Sequence, residues 1–127
     1  MIRSMHVIIA IGIIFSFCSS NARADGDAAK GKRVFNKCKS CHELTKKKNK
    51  IGPHLVGIIG RKAGSVEGFK YSPAMKNANI VWDEKTINAY IINPKKFVPG
   101  NKMTLPPIKK EDQRKDLIEY IKAEQKK

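Results

Sequence analysis

Cys38-Lys39-Ser40-Cys41-His42 has the form C-x-x-C-H, and this stretch decides how the rest of the chain is interpreted. Two thiols two residues apart on one helical turn can add to the two vinyl groups of a single porphyrin. The histidine after the second thiol then lies under the ring, where its imidazole can ligate the iron. The motif therefore predicts one covalently attached haem c, held by Cys38 and Cys41, with His42 as an axial ligand.

Three other chemistries use closely spaced cysteines, and the sequence favours each of them less. Cys38, Cys41 and His54 match the first half of a zinc finger, but no second histidine follows His54 at the required spacing. A thioredoxin-like redox pair needs a βαβ pattern around the cysteines, which is absent, and it leaves His42 unexplained. A disulfide between cysteines this close would form a small, strained loop.

Residues 1–24 have the pattern of a secretory signal peptide. Arg3 supplies a positive charge, residues 7–17 are almost entirely apolar, and Ala22-Arg23-Ala24 has the small-x-small form of a cleavage site. The apolar run is short compared with the roughly 17–25 residues of a membrane span. We therefore expect residues 1–24 to be removed on export to the periplasm, which leaves one domain over residues 25–127. An uncleaved membrane anchor is the alternative.

The chain is strongly basic, with a net charge of +15. Without residues 1–24 it keeps 24 basic and 11 acidic residues, a net charge of +13. Such a field favours anionic partners and speeds their association. Nucleic acid is a poor candidate, because the chain has no stacking platform or recognition helix. Acidic docking sites on other proteins are the expected partners, and an anionic lipid surface is a second candidate.

Short helices separated by loops are predicted, without a strand of useful length, so the fold class is all-α. The predicted helices run from Ala28 to about Cys38, from Pro73 to Asn77, from Glu84 to Ile92, from Pro94 to Phe97, and onward from about Lys110. Residues 43–70 are rich in glycine and lysine and are predicted to form a loop. Gly31 is unfavourable within the first helix, so another backbone is expected to approach closely there.

Several stretches of the chain, in order, resemble a class I cytochrome c of the mitochondrial and alphaproteobacterial type. They are GKRVFNKCKSCH, GPHLVGIIGRKAG, GFKYS, NPKKFVPGNKM and RKDLIEYIK, distributed over residues 28–124. The resemblance implies a small cytochrome c fold, in which short helices and loops wrap around one covalently bound haem. It also implies that Phe35 and Tyr120 meet beside Gly31 and so join the first and last helices.

A methionine sulfur opposite His42 would complete the coordination of the iron and favour its ferrous state. Met75 and Met103 are the two methionines that follow residue 24. Met103 lies in a loop framed by prolines and matches the axial methionine of the family, whereas Met75 lies in a predicted short helix and is interpreted as core packing. The resemblance also implies that the Tyr90 hydroxyl reaches the Met103 sulfur.

Further haem contacts are implied by the resemblance, one residue at a time. The carbonyl of Pro53 should accept a hydrogen bond from the outer nitrogen of His42 and so fix its tautomer. Tyr71 and Trp82 should hydrogen-bond a haem propionate, with Arg61 nearby to offset its charge. Ordinary aromatic core packing is the alternative for the tyrosines and for Trp82.

Three departures from the family's pattern concern the haem pocket. Met75 stands where the family usually has asparagine, which alters the polar groups of the pocket. Asn101 replaces a threonine that helps to hold a propionate, and its amide is expected to donate in the same way. Leu105 and Pro107 stand where an aromatic residue and a glycine are usual, which changes the packing at the haem edge.

The function that the resemblance implies is that of a soluble, monomeric one-electron carrier that is not an enzyme. Its expected partners are a quinol:cytochrome c reductase as donor and a terminal cytochrome c oxidase as acceptor. Both would dock at a haem edge surrounded by lysines, namely Lys37, Lys39, Lys48, Lys50, Lys95, Lys96, Lys102 and Lys109. The alternative is a peroxidase-like or ligand-sensing haem protein with a displaceable sixth ligand. A cationic lipid-binding protein with a structural haem is a third interpretation.

Overall fold

Five helices joined by loops make up residues 26–127, the part of the chain that this computed structural model describes. They are α1 Ala28–Phe35, α2 Pro73–Lys76, α3 Glu84–Ile92, α4 Pro94–Phe97 and α5 Glu111–Gln125. Within these residues there is no strand, and β-pairing is limited to one bridge between Lys62 and Val81. The prediction of an all-α fold is confirmed.

The signal peptide and the uncleaved membrane anchor are alternative predictions for residues 1–24. Across residues 26–127, no helix combines the length and the apolar character needed to cross a bilayer. The predicted signal peptide, residues 1–24, lies outside the described residues. It therefore stays a prediction.

Polar side chains fix where the first four helices begin. Each accepts hydrogen bonds from the first backbone N–H groups of its helix, and these caps are Asp27, Ser72, Asp83 and Asn93. Pro73 and Pro94 come directly after two of them, where the fixed φ of proline suits a first helical position. The predicted bounds of α3 and α4 agree with the structure.

Helix α1 ends at Phe35, before the predicted boundary near Cys38. Beyond Phe35 the backbone hydrogen bonds tighten, because Lys37 N–H donates to Val34 at 3.1 Å and Cys38 N–H donates to Phe35 at 2.8 Å. The chain continues in turns through residue 41. The C-x-x-C-H motif thus follows α1 as an irregular helical turn.

The first and last helices cross in direct backbone contact. A Cβ atom on Gly31 would collide with the carbonyl of Asp116 in α5 and would lie 2.7 Å from the Cβ of Tyr120. The rings of Phe35 and Tyr120 pack beside this crossing, with centroids 5.6 Å apart. The predicted contact among Gly31, Phe35 and Tyr120 is confirmed.

Backbone hydrogen bonds join the long glycine-rich loop to the segment before α3. Gly60 and Ala63 donate to the carbonyls of Trp82 and Ile80 at 2.6 and 2.8 Å. Trp82 N–H donates back to Arg61 at 2.8 Å. These bonds satisfy loop groups that no helix or sheet pairs, and they bring Arg61 and Trp82 together.

Arg114 is a buried cation of α5 that the sequence patterns did not single out. Its guanidinium donates to Asn88 Oδ1 at 2.8 Å, and to the carbonyls of Ile108 and Lys109 at 2.9 and 2.7 Å. These carbonyls follow the loop that carries Met103, so Arg114 ties the end of that loop to α3 and α5. A buried arginine that satisfies several carbonyls stabilises the loop through charge-assisted hydrogen bonds.

Replacing Gly31 with alanine is expected to destabilise the haem-loaded protein by about 1–3 kcal/mol, because the added methyl group forces α1 and α5 apart. The gain in helix propensity, about 1 kcal/mol, offsets only part of this loss. Urea unfolding followed by circular dichroism measures the difference. Lys32→Ala, on the exposed side of α1, is the control and should change stability by less than about 0.5 kcal/mol. Equal stability of the two variants would contradict a close backbone contact.

Candidate functional site

A cavity of about 350 Å³ lies among the turn after α1, the glycine-rich loop and the loop that carries Met103. It brings together the four groups predicted to hold a haem, which are Cys38, Cys41, His42 and Met103. Most of the remaining walls are apolar, and they include Phe35, Leu55, Ile58, Phe69, Met75, Ile87, Ile91, Leu105, Leu117 and Ile121. Such a cavity suits a large apolar group oriented by a few polar contacts.

Both cysteines of the motif are free thiols that line this cavity from one turn of chain. The N–H groups of Cys41 and His42 donate to the carbonyl of Cys38 at 3.0 and 2.8 Å, which closes the turn. Burial, then the neighbouring Cys41, raises the pKa of Cys38 to about 11, and Lys37 opposes this only in part. A redox pair requires a thiol of low pKa, so the thioredoxin-like alternative is disfavoured.

The zinc-finger alternative has no ligand set in the described chain. Within residues 26–127, no group of three or more His, Cys, Asp or Glu side chains is arranged to hold a metal ion. His54 does not line the cavity that contains Cys38 and Cys41. The cavity therefore places these two cysteines with His42 and not with His54, the histidine that the zinc-finger pattern would use.

His42 is held as a neutral imidazole. It is 9% exposed, and its Nδ1 lies 2.7 Å from the carbonyl oxygen of Pro53, so the predicted hydrogen bond is present. Because a carbonyl only accepts, Nδ1 carries the proton and Nε2 keeps its lone pair for a metal. Burial is the main cause that lowers the pKa of His42; the bond to Pro53 opposes it, while Arg61 and Lys50 add to it. The imidazole is therefore neutral at pH 7, which is the form that ligates iron.

Gly52 leaves the space that the imidazole ring occupies. A Cβ atom on Gly52 would lie 2.8 Å from Nδ1 and 3.0 Å from Nε2 of His42. The Gly52 N–H also donates to the carbonyl of Cys41 at 2.8 Å, which holds the loop against the motif. Gly52 was not predicted as a site residue, although a glycine directly before Pro53 was a visible signal of a constrained turn.

A buried asparagine organises the loop that carries Met103. Nδ2 of Asn101 donates to the carbonyls of Pro94 and Val98, both at 2.7 Å, and Oδ1 accepts from the Met103 N–H at 2.8 Å. Both amide protons are thus used within the protein. Its amide thus holds the loop, and the contact between Asn101 and a propionate stays a prediction.

Tyr90 forms a hydrogen bond with this asparagine. Its hydroxyl donates to Oδ1 of Asn101 at 3.3 Å. Burial raises the pKa of Tyr90 to about 12, so the hydroxyl stays protonated at neutral pH. The ring packs against Trp82, with centroids 5.1 Å apart. Tyr90 and the Met103 backbone are thus connected through Asn101, and the contact between hydroxyl and sulfur stays a prediction.

Arg61, Tyr71 and Trp82 line the cavity together. The Arg61 guanidinium donates to two backbone carbonyls of its own loop, each at 3.0 Å, which fixes its position. The Tyr71 hydroxyl accepts from the Val66 N–H at 3.1 Å, so its own proton remains free for another acceptor. Burial also raises the pKa of Tyr71, which keeps that proton in place. A cation and a neutral donor are the groups that a partly buried carboxylate requires.

The boundary of the cavity carries charged and apolar residues that are exposed. The lysines predicted to surround the haem edge are all exposed, and Lys37 and Lys102 line the cavity itself. Lys50 is paired with Glu43 at 3.4 Å. Ile51 also lines the cavity and is 80% exposed. This side of the molecule thus offers an apolar side chain among positive charges.

The residues that line the cavity fit a haem c. Two free thiols can form thioether bonds, a neutral imidazole offers Nε2, and a methionine offers its sulfur. Apolar walls suit the porphyrin ring, and Arg61 with Tyr71 suits its carboxylates. The donor set and the shape of the site thus agree with the prediction from the motif.

Comparisons with known proteins identify the family. The Cytochrome c family model matches residues 28–124. The chain is 51% identical over 104 residues to cytochrome c type-1 from Ascaris suum, covering 81% of this chain and 93% of that protein. It is 48% identical over 97 residues to cytochrome c-550 from Nitrobacter winogradskyi, covering 76% and 89%. Cytochrome cH from Methylobacterium extorquens shares the fold, with a TM-score of 0.73 and 40% identity over 77% of this chain and 99% of that one.

The matched region contains the attachment motif, the cavity and all five helices except the last residue of α5. One covalently bound haem c follows from this match, as does a role in electron transfer and not in catalysis. The chain belongs to the cytochrome c family.

Proposed function

We propose that this protein carries single electrons through a haem c whose iron is ligated by His42 and Met103. The observation that supports this most directly is their shared cavity, which also contains the thiols of Cys38 and Cys41. The donor is proposed to be a quinol:cytochrome c reductase and the acceptor a terminal cytochrome c oxidase. The proposed compartment is the periplasm, reached through the signal peptide predicted over residues 1–24.

The bound haem supplies the one-electron change between ferrous and ferric iron. The protein's contribution is to keep the ligands in place during that change. Pro53 holds the His42 ring through Nδ1, and Asn101 holds the backbone of Met103. Ligands that move little between the two oxidation states keep the structural rearrangement small, which favours fast transfer.

The cavity walls support a carrier and not a catalyst. Tyr90, Trp82 and Ile91 are buried and line the cavity, so its interior walls are mainly apolar. An apolar surrounding disfavours the extra positive charge of ferric iron and raises the reduction potential.

Positive charge around the cavity boundary supports docking to acidic partner surfaces. Lys37 and Lys102 line the cavity and are exposed, and other exposed lysines flank the same segments in sequence. Charges of this kind mainly raise the rate of encounter. Their effect falls with ionic strength, since the Debye length is about 10 Å at 0.1 M salt.

Replacing Met103 with alanine is expected to remove the weak far-red absorption band that methionine sulfur gives to ferric haem c. The reduction potential should also fall, because a thioether ligand favours ferrous iron. Optical spectra of both oxidation states and a redox titration measure these changes. The matched control is Met75→Leu, because Met75 is buried and lines the same cavity.

The Met75→Leu control is expected to keep the far-red absorption band. If Met103→Ala keeps the band while Met75→Leu loses it, the proposed ligand is wrong. If the unmodified ferric protein lacks the band, the proposed His/Met coordination is wrong as a whole.

Replacing both Lys37 and Lys102 with glutamate is expected to lower the rate of oxidation by cytochrome c oxidase roughly tenfold at low salt. The reason is that acidic docking sites would then face negative charges at the cavity boundary. Stopped-flow kinetics at several ionic strengths measure the rate. The control replaces Lys62 and Lys85 with glutamate. Both lysines are exposed and neither lines the cavity.

The two double variants have the same net charge, so a general charge effect would slow both equally. We expect the control to lose less than about threefold in rate. Equal losses, or a rate of the unmodified protein that is independent of salt, would contradict docking at the cavity boundary.

A further inference from the structure

We propose that Asn101 is the positioning residue that keeps Met103 at the iron, through one side-chain amide whose hydrogen-bonding groups are all used. The inference rests on the proposed ligation by Met103. It assigns to Asn101 a role in ligand retention.

An asparagine amide has two N–H donors and an oxygen with two lone pairs. Both donors of Asn101 are used, by the carbonyls of Pro94 and Val98 at 2.7 Å each. Both lone pairs are used as well, by the Met103 N–H at 2.8 Å and the Tyr90 hydroxyl at 3.3 Å. One side chain therefore joins α3, α4 and the loop that carries Met103.

The burial of Asn101 makes these bonds consequential. The residue is 6% exposed, so its side-chain hydrogen bonds are largely shielded from water. Removing the amide would leave the Met103 N–H and the Tyr90 hydroxyl without this acceptor. The carbonyls of Pro94 and Val98 would each lose one of two hydrogen bonds and keep only a backbone bond. Such losses are costly in a buried site. The conformation of the loop is thus coupled to the presence of this particular side chain.

The loop around Met103 has few other connections. Among residues 26–127, the bond from the Met103 N–H to Asn101 Oδ1 is the one hydrogen bond made by any group of residues 102–107. The next backbone bond along the chain is from the Ile108 N–H to Ile91, at 3.0 Å. Between Asn101 and Ile108 the backbone is therefore anchored by Asn101 alone, apart from apolar packing.

The asparagine amide can donate to two carbonyls at this position, whereas a threonine hydroxyl can donate to only one. A threonine hydroxyl has one proton, so it could satisfy only one of the carbonyls of Pro94 and Val98. It could still accept from the Met103 N–H. We therefore expect the threonine variant to retain Met103 less firmly than asparagine and more firmly than alanine.

The experiment measures how readily Met103 leaves the iron. Cyanide is added to ferric haem-loaded protein at one fixed neutral pH, and its binding rate is followed optically. A strong external ligand must wait for the methionine to leave, so the rate reports its release. Asn101→Ala is expected to raise the rate by about tenfold, which corresponds to about 1.4 kcal/mol. A loss of this size is expected when a buried polar group loses its hydrogen-bond partner. Asn101→Thr should give an intermediate rate.

Asn93→Ala is the matched control. Asn93 is an asparagine in the same segment whose side chain accepts from the Lys96 N–H at 3.1 Å, and it caps α4 without contacting Met103. Its removal should weaken the fold but change the cyanide rate by less than about twofold. Urea unfolding of each variant separates general instability from local release of the ligand.

The possible results distinguish the inference from the function on which it rests. If the unmodified ferric protein shows no methionine band, both are overturned. If the band is present but Asn101→Ala and Asn101→Thr bind cyanide no faster than Asn93→Ala, the role of Asn101 is overturned and the electron-carrier function stands. Faster binding in the order alanine, threonine, asparagine supports the inference, and so does failure of Asn101→Ala to keep the band.

Discussion

The backbone contact between α1 and α5 at Gly31 is the constraint on which the rest of the structure depends. Because Gly31 has no side chain, the helices cross closely enough for Phe35 and Tyr120 to pack beside them. The turn of residues 38–42 follows α1 directly, so this crossing also determines where the two thiols and the imidazole lie. A chain this small gains limited stability from its own core, and a covalently held apolar cofactor adds to it.

Each of the two proposed axial ligands is held by a loop and not by a regular helix. The carbonyl of Pro53 orients His42, and the amide of Asn101 holds the backbone of Met103. Loops have few regular backbone partners, so single hydrogen bonds of this kind decide their conformation. The helices provide a rigid frame while the loops supply the chemistry, which is how small proteins commonly build precise sites. For an electron carrier, the proposed benefit of such loops is that the ligands would move little when the iron changes oxidation state.

Features local in sequence could be predicted well. The bounds of α3 and α4 follow from the caps Asp83 and Asn93 and from Pro94, each of which acts within one helical turn. Pro53 and Met103 could be predicted as site residues because each occupies a set position within a short stretch that resembles the family. The end of α1 was less predictable, since a change from one helical hydrogen-bond pattern to another leaves no clear compositional mark.

The sequence by itself determined the haem chemistry, the all-α fold and the positive field, because residue type and short spacing suffice to specify them. Only the tertiary structure decided that Gly52 lies against His42, that Arg114 is buried among carbonyls, and that Asn101 uses both of its amide protons. These contacts depend on which groups come within hydrogen-bond or van der Waals distance after the loops close. Several partners are compatible with each side chain in the sequence, and folding leaves one set within reach.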